Sequence, residues 1–329
     1  MLGNWHQLWL IASNPDNVPV VGLIMLVPFF TWFALRQAKA NDRLIARLEA
    51  DPELARTHHR KTQDYHPSWQ KEVHVWPYLL RMELLAAIII TVILMVWALK
   101  INAPLEQPAN ASITMNPAKA PWYFLGLQEM LEYFDPWIAG VIMPTFIILG
   151  LMAIPFIDAN PLGNGYYTYK QRRFAVWTFL AGFEGMWLVL TLIGTFIRGP
   201  GFMWFWPTAT WDPDRVEFNA TRNFDQFFHI NGSWLVHILP ASQKADAALW
   251  AKGLFGIIPV GLYFLVAAWM FHKIITCTPF SRKIFRRMSL LQVVVLEVLL
   301  VVMLTLPITF FMRHLFRIKY VWETPWFNL

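Results

Sequence analysis

The sequence predicts an all-α integral membrane protein with about six transmembrane helices and a short interfacial helix between the second and third spans. Of its 329 residues, 57% are hydrophobic and 15% are charged, and the mean hydropathy is +0.41, which is outside the range of soluble domains. The apolar residues lie in runs of about 20, the length that a helix needs to cross about 30 Å of hydrocarbon. The single cysteine, Cys277, excludes a disulfide framework, a thiolate-ligated iron–sulfur cluster and a CxxCH haem attachment.

Six segments have the length and composition of membrane spans. They run from Val18 to Leu35, Leu79 to Leu99, Trp137 to Ile157, Phe174 to Ile197, Leu254 to His272 and Leu290 to Met312. The residues before the first span contain no Lys or Arg, so we expect no cleaved signal peptide. The segment from Arg36 to Glu53 favours a helix, and we expect it either to continue the first span or to lie on the surface as an amphipathic connector.

Basic residues are distributed unevenly between the connecting segments. Segments 36–81, 170–173 and 273–287 contain nine, three and five Lys or Arg residues, which is 17 of the 27 in the chain. Because basic loops stay in the cytoplasm, we expect a multi-pass protein of the cell inner (cytoplasmic) membrane with both termini on the positive, periplasmic side. The same clustering beside apolar runs argues against binding of nucleic acid, despite the net charge of +6.

The segment between the second and third spans, Asn116 to Gly140, is the most informative part of the chain. Pro121 suits the first turn of a helix, which we expect to cover Trp122 to Phe134 and to end at Asp135 and the proline after it. A short helix of this composition is expected to lie at the membrane interface, partly buried.

Four residues share one face of this predicted helix: Trp122, Leu125, Glu129 and Glu132. The two carboxylates are neighbours at spacing i, i+3. Burial and like charge both favour the protonated form of a carboxylate, which suits a proton acceptor that works near neutral pH beside an amphipathic ring. An interfacial anchor helix with solvated acids fits the same residues equally well.

The stretch APWYFLGLQEMLEYFDPWIAGVIMP, followed by IPFIDANPLGNGYY, resembles the C-terminal domain of cytochrome b, the unit found separately as subunit IV of cytochrome b6f complexes. The variant KAPWYFLGLQE is most similar to the split cytochrome b subunits of menaquinol–cytochrome c reductases. The resemblance extends from about Val75 to Pro207. It divides the chain into an N-terminal helix and connector (1–76), a cytochrome b C-terminal-like domain with three spans (77–207), and a positive-side loop with two additional spans (208–329).

The resemblance implies a membrane subunit of a quinol:cytochrome c (bc-type) oxidoreductase, which takes part in respiratory electron transport and proton translocation and is not active alone. That family carries a Pro-Glu-Trp-Tyr motif in its quinol-oxidation pocket, where this sequence has an alanine followed by Pro121, Trp122 and Tyr123. The implied pocket for menaquinol or ubiquinol is lined by these three residues and Leu125.

The motif departs from the family at the glutamate that is often assigned as the proton acceptor, because Pro121 occupies its position. We therefore expect Glu129 or Glu132 to be the catalytic acceptor that releases protons on the positive side. The same departure keeps an alternative open, a non-catalytic structural subunit of a respiratory or photosynthetic membrane complex.

Haem b in a helix bundle needs paired histidines on facing spans. The histidines of this chain lie instead at span ends or in connecting segments, as His58, His59, His66, His74, His229, His237, His272 and His314 show. We expect no metal to be ligated here and the haems b to lie in a partner, the haem-binding N-terminal-type cytochrome b subunit. The resemblance also implies a Rieske iron–sulfur protein and a c-type cytochrome as partners. Glu184 and Glu297 at mid-span serve either a proton path or a contact between helices.

Overall fold

The computed structural model describes residues 4–58, 75–102, 108–158, 166–215, 221–224, 244–277, 286–324 and 328–329. Within these ranges the regular elements are helices. They are α1 (Trp5–Ser13), α2 (Val18–Ala50), α3 (Pro52–Thr57), α4 (Tyr78–Lys100), α5 (Leu125–Met130), α6 (Ile138–Ile157), α7 (Arg173–Ile197), α8 (Lys244–Cys277) and α9 (Leu290–Phe316). Six of them (α2, α4, α6, α7, α8 and α9) contain a stretch long and apolar enough to cross a membrane, which confirms the predicted fold class.

The first span is longer than its apolar run. Helix α2 continues without interruption into the charged connector, which confirms one of the two expectations for that segment. It is followed by α3, which begins where the Asp51 carboxylate accepts hydrogen bonds from the backbone N–H groups of Glu53 (3.0 Å) and Leu54 (3.2 Å). The short helix α1 was not predicted, and the Asn4 side chain caps its first turn by accepting from the Gln7 N–H at 3.1 Å.

The chain forms two compact units. The first contains Met1–Asp42, Met115–Gly163 and Thr168–Leu329, and the second contains Arg43–Thr114 and Asn164–Tyr167. Helix α4 belongs to the second unit. None of its side chains is buried and its apolar residues cover the whole circumference, as is typical of a helix surrounded by lipid or by other subunits.

One end of the first unit contains the start of the chain, the loops on either side of α5, the loop after α7, and the C-terminal tail. The backbone N–H of Asn4 donates to a carbonyl in the loop after α7 at 2.8 Å. That loop also contacts the segment before α5, because the Gly201 N–H donates to the side chain of Asn116. In the tail, Asn328 Nδ2 donates to Asp135 Oδ2 at 3.3 Å. These segments therefore lie on the same side of the bundle, and the side of the membrane that they face stays a prediction.

The opposite end of the first unit is held by polar contacts between successive helices. The carboxylate of Asp42, which is buried, accepts from the backbone N–H of Lys170 at 3.0 Å. Arg172 forms an ion pair with Asp158 at 2.5 Å, and the side chain of Gln292 donates to a carbonyl near the end of α6. These contacts join the charged part of α2, the end of α6 and the start of α9 to their neighbours, and the basic segment 170–173 before α7 takes part in two of them.

Glu184 and Glu297, the two carboxylates at mid-span, each contact another helix. Thr31 on α2 donates a hydrogen bond to Glu184 on α7. His272 Nδ1 on α8 lies 3.1 Å from Glu297 Oε1 on α9. A helix contact was one of the two roles that the sequence left open for each residue, and it offsets the cost of a carboxylate in the membrane.

The main apolar core of the first unit joins the loop before α6 to three spans. Its buried residues are Met130, Tyr133, Phe134, Ile138, Ala139, Met143, Leu190 and Leu306. They come from the end of α5 and the turns after it, from α6, from α7 and from α9. Helix α5 and the turns around it, residues 122–134, which we call the loop helix, are therefore packed into the bundle. The position of the loop helix depends on α9 as well as on α6 and α7.

Candidate functional site

The interfacial helix lies where the sequence predicts it, but its ends are looser than a regular α-helix. Pro121 precedes a 3₁₀ turn at Trp122–Phe124, which continues into α5. After Met130 the chain forms further turns, which are closed by backbone hydrogen bonds. The last of these bonds joins the Phe134 N–H to the Met130 carbonyl at 3.2 Å. The predicted helix over 122–134 is thus a 3₁₀ turn, a short α-helix and a series of turns.

A glutamine holds the segment before the helix against the helix itself. Gln128 Oε1 accepts from the backbone N–H of Ala120 at 2.7 Å, and its Nε2 donates to the carbonyl of Ala118 at 2.9 Å. Because Pro121 has no N–H to donate, this side chain provides the polar contacts that the backbone at the start of the helix lacks. The position of the tetrad beginning at Ala120 is fixed in this way.

Two glycines allow the helix to pack closely against α7. A Cβ atom added to Gly126 would lie 3.0 Å from Thr191 Oγ1 and 3.1 Å from the ring of Trp187. A Cβ atom added to Gly194 on α7 would lie 3.3 Å from the carbonyl oxygen of Leu125. Leu125 is only 2% exposed, so this side of the helix faces the span and is closed to solvent.

Glu129 lies on the same inward side and is completely buried, with 0% exposure. Its carboxylate accepts hydrogen bonds from Arg198 Nη2 at 2.7 Å, from Arg198 Nε at 2.9 Å and from the Tyr133 hydroxyl at 2.6 Å. The guanidinium therefore binds both carboxylate oxygens, the fork geometry that gives the strongest ion pairs. This contact joins the loop helix to the residue that follows α7.

The partners of Glu129 are themselves held in place. Arg198 Nη1 donates to the carbonyl of Phe202 at 3.1 Å, and the guanidinium lies 5.5 Å from the ring of Trp204. Burial lowers the pKa of Arg198, but its hydrogen bond to Glu129 and the charge of that carboxylate outweigh burial and raise the pKa above its usual value. Burial, followed by the charge of Glu129, raises the pKa of Tyr133 far above its usual range. Arg198 therefore stays charged and Tyr133 stays a neutral donor.

A lysine lies beside this cluster. Lys119 Nζ donates to the carbonyl of Thr195 at 2.9 Å and lies 4.8 Å from the centre of the Trp211 ring. Burial lowers the pKa of Lys119 from 10.5 to about 8, an effect that the charge of Glu129 opposes and that of Arg198 reinforces. Lys119 therefore loses its proton at a lower pH than an exposed lysine does.

Glu132 has a different environment from Glu129. Its side chain is 31% exposed and its carboxylate lies 3.4 Å from Arg313 Nη2 on α9. Helix α9 also provides aromatic contacts, since the rings of Phe310 and His314 lie 5.2 Å and 5.8 Å from that of Tyr133. Glu132 therefore belongs to the contact between the loop and the last span.

Aromatic side chains occupy the outward side of the start of the helix. Trp122 is half-buried, whereas Tyr123 is 54% exposed and Phe124 is 53% exposed. The rings meet edge to face, with centroids 5.7 Å apart for the first pair and 4.8 Å apart for the second. We call these three residues the aromatic edge. Pro121 before them is exposed, so four consecutive residues present an apolar surface.

The six residues selected from the sequence are thus divided between three sides of the helix, so the prediction that Leu125, Glu129 and Glu132 share one face was wrong for Glu132. Pro121, Trp122 and Tyr123 lie at the outward side, Leu125 and Glu129 face α7, and Glu132 faces α9. The sequence predicted no site role for four other residues of this region: Arg198, Arg313, Tyr133 and Lys119. An arginine directly after an apolar span is a weak signal, because such residues are ordinary membrane anchors.

In the described part of the chain, no three His, Cys, Asp or Glu side chains lie close enough together to hold a metal ion. His272 contacts Glu297, and His314 stacks on Phe310 with ring centroids 4.4 Å apart. Five of the histidines considered above lie outside the described residues: His59, His66, His74, His229 and His237. The expectation that this chain ligates no haem stays a prediction.

Residues 108–211 match the family described as Cytochrome b(C-terminal)/b6/petD. The match includes α5, α6 and α7, together with Glu129 and Arg198, and it confirms the resemblance to the C-terminal domain of cytochrome b. No curated protein and no solved structure matches the chain. Residues 108–211 are therefore similar to this cytochrome b family, and the six apolar helices are those of a multi-pass membrane protein.

Proposed function

We propose that the chain is a membrane subunit of a bc-type quinol:cytochrome c oxidoreductase in which the aromatic edge forms part of the wall of the quinol-oxidation pocket. The observation that carries the proposal is the family match over residues 108–211, whose loop helix is fixed on one side by the Glu129–Arg198 pair and exposed on the other. The proposed location is the bacterial inner membrane with the loop helix on the positive side.

The aromatic edge suits the head group of a quinol. A quinol ring is flat and apolar on its faces and carries a hydroxyl group at each end. Aromatic side chains favour edge-to-face or offset contacts with such a ring, and the exposed Tyr123 adds a hydroxyl that donates or accepts a hydrogen bond. Trp122 and Tyr123 would hold the ring, while Pro121 keeps the adjoining backbone rigid. The same chemistry accommodates menaquinol and ubiquinol.

The electrons are proposed to leave through partner subunits. Oxidation of one quinol releases two electrons and two protons, and the chain offers no redox centre among its proposed site residues. A Rieske iron–sulfur protein that passes electrons to a c-type cytochrome and a haem-binding cytochrome b subunit are the proposed acceptors. This chain would contribute the pocket wall and the acceptor for a proton.

Of the two candidate carboxylates, Glu132 is the better proton acceptor. Glu129 already accepts three hydrogen bonds in a fully buried site, and protonation would break its pair with Arg198. Removing one charge from a buried pair is costly because the other charge is left uncompensated. Glu132 is partly exposed and has one long contact with Arg313, so it can exchange a proton with water. Glu129 then acts as the residue that positions the helix.

The separation along the helix determines how a proton would reach Glu132. Ten residues separate Trp122 from Glu132, which is about 15 Å along a regular helix. That distance is longer than one bridging water molecule spans, so transfer from a quinol held at the aromatic edge requires a short chain of water molecules. The proposal therefore makes Glu132 the first carboxylate on the way out of the pocket rather than a direct ligand of the quinol.

Substitution in the assembled complex tests this function. Glu132→Gln should lower quinol oxidation about 10²-fold, at the low end of general-base effects, and should leave the content of haem and iron–sulfur partners unchanged. Glu53→Gln is a matched control, because Glu53 also pairs with an arginine, Arg56 at 3.0 Å, but on exposed α3. It should leave turnover unchanged.

The alternative has a distinct signature in the same experiment. If Glu129→Gln, Glu132→Gln and the double variant all retain the turnover and pH dependence of an intact complex, no carboxylate of this helix accepts the proton. The presence of Pro121 at the position of the motif glutamate would then favour a structural subunit. Turnover with menaquinol and with ubiquinol, measured on the same preparation, separates the two quinone classes.

A further inference from the structure

The last span contacts the loop helix although it lies outside the segment that matches the family, which ends at residue 211. Arg313 Nη2 near the end of α9 lies 3.4 Å from Glu132 Oε2. In the tail that follows, the Asn328 side chain donates to Asp135 Oδ2 at 3.3 Å. The additional C-terminal part of the chain thus reaches both acidic side chains at the end of the loop helix.

One donor atom of Arg313 is unused. Its Nη1 is buried and has no hydrogen-bond partner among the described residues. A guanidinium has five N–H donors, and a buried donor without an acceptor is unfavourable unless water or a moving acceptor satisfies it. The unused donor lies on the same guanidinium that faces Glu132. An oxygen next to the contact with Glu132, from water or from a carboxylate that changes rotamer, would satisfy this donor.

Charged and titratable groups from several elements lie around this guanidinium. Glu132 and Asp135 are three residues apart. Arg198 already binds both carboxylate oxygens of Glu129. The surroundings also include Glu129 and Tyr133 on the loop helix, Arg198 after α7, His314 on α9, and Tyr320 and Lys319 in the tail. Burial raises the pKa of Tyr320, Asp135 and Glu132 reinforce this effect, and Arg313 opposes it, so these groups lie within electrostatic reach of one another.

We propose that Arg313 is a positioning residue for proton release, because its guanidinium, 3.4 Å from Glu132, holds this carboxylate in place to take the proton of the quinol. Its unused Nη1 holds the water or carboxylate oxygen to which Glu132 passes the proton next. The last span is then part of the proton-release route and does more than anchor the chain. This inference rests on the proposed function.

The pH dependence of quinol oxidation tests the inference in the assembled complex. The rate rises with pH as the acceptor loses its proton, and loss of a nearby positive charge makes that loss harder. Arg313→Gln should therefore move the acid limb of the rate profile to higher pH by about one unit, the low end of the effect of a neighbouring charge. On that limb the rate should fall about tenfold, and at the high-pH plateau it should change little.

Two variants separate charge from scaffolding. Arg317→Gln is the matched control, since Arg317 lies one turn further along at the exposed end of α9, and it should leave the limb in place. Asp135→Asn should move the limb in the opposite direction, to lower pH, because Glu132 then loses a neighbouring like charge. The asparagine still caps α6 through its side-chain oxygen, so the Asp135→Asn complex is expected to assemble even if Arg313→Gln does not.

The outcomes distinguish this inference from the function on which it rests. In the Glu132→Gln background, Arg313→Gln should cause no further shift. A uniform loss of rate at every pH in Arg313→Gln, a shift that persists without Glu132, or an unmoved limb in Asp135→Asn overturns the positioning role. If Glu132→Gln itself leaves a quinol-oxidising complex unchanged, the proposed acceptor is wrong instead, and a complex that does not oxidise quinol overturns the function itself.

Discussion

The buried pair between Glu129 and Arg198 gives a prediction about stability that does not depend on catalysis. Arg198→Gln shortens the side chain and removes its charge, which leaves the Glu129 carboxylate at 0% exposure with the Tyr133 hydroxyl as its remaining strong donor. Breaking a buried pair by removing one partner costs about 3–5 kcal/mol. The variant should therefore lose much of the stability of the first unit.

Thermal unfolding of the detergent-solubilised complex measures this loss. For a chain of this size a destabilisation of 1 kcal/mol lowers the midpoint by about 2 °C, so Arg198→Gln should lower it by about 6–10 °C. Replacing both partners, as in Glu129→Leu with Arg198→Leu, should be less damaging than Arg198→Gln alone, because it leaves no uncompensated charge. The comparison of the double variant with the single ones isolates the pair.

The Arg172–Asp158 pair is a control with the same chemistry and a different burial. Its side chains are 36% and 34% exposed, against 9% and 0% for Arg198 and Glu129. Exposed pairs contribute about 0–1 kcal/mol, so Arg172→Gln should shift the midpoint by less than about 2 °C. Equal shifts in Arg172→Gln and Arg198→Gln would refute the reasoning, because burial would then have no part in the effect.

Three further outcomes are expected. The pKa of Lys119 is about 8 in the folded chain and 10.5 in the unfolded chain, so between these pH values only the unfolded chain holds this proton. The free energy of unfolding should therefore rise with pH across this window. Lys119→Met should reduce the accompanying rise in the unfolding midpoint. Gly126→Val should destabilise by about 1–3 kcal/mol in thermal unfolding through overpacking against α7, whereas Gly140→Val, with open space around its Cβ position, should have little effect. In a background without Cys277, a cysteine at exposed Asp16 should react with a membrane-impermeant maleimide from the periplasm, and labelling from the cytoplasm alone would reverse the topology.

Hydropathy was sufficient to predict the membrane spans, because a segment that crosses lipid has to be apolar along its length. All six predicted spans coincide with helices, although α2 and α8 extend well beyond their apolar runs. Those extensions are charged or polar, and hydropathy alone does not distinguish a helix that leaves the membrane from a loop. The helix α1 was missed because its nine residues are too few for a span and too apolar to look like a solvated helix.

The helical spacing also correctly grouped Leu125 and Glu129 on one face, but it did not reveal what that face contacts. Spacing within one segment determines which side chains lie together, whereas their partners come from distant parts of the chain. Arg198 is 69 residues from Glu129, and Arg313 is 181 residues from Glu132. A single sequence gives no indication of such pairs, so two carboxylates received the same predicted role although one is completely buried and paired with Arg198 and the other is partly exposed.

The contacts of the matched segment explain why the chain is longer than that segment. Several of its polar groups have partners outside residues 108–211, and four of these contacts join Glu184 to Thr31, Lys170 to Asp42, Glu132 to Arg313 and Asp135 to Asn328. Two of these partners precede the segment and two follow it. Without α2, Glu184 would keep a carboxylate within a span and lose its hydrogen-bond donor, which costs several kcal/mol in lipid. Without α9, the loop helix would lose part of its apolar core and the guanidinium beside Glu132. The first addition therefore supports the span, and the second supports the proposed site.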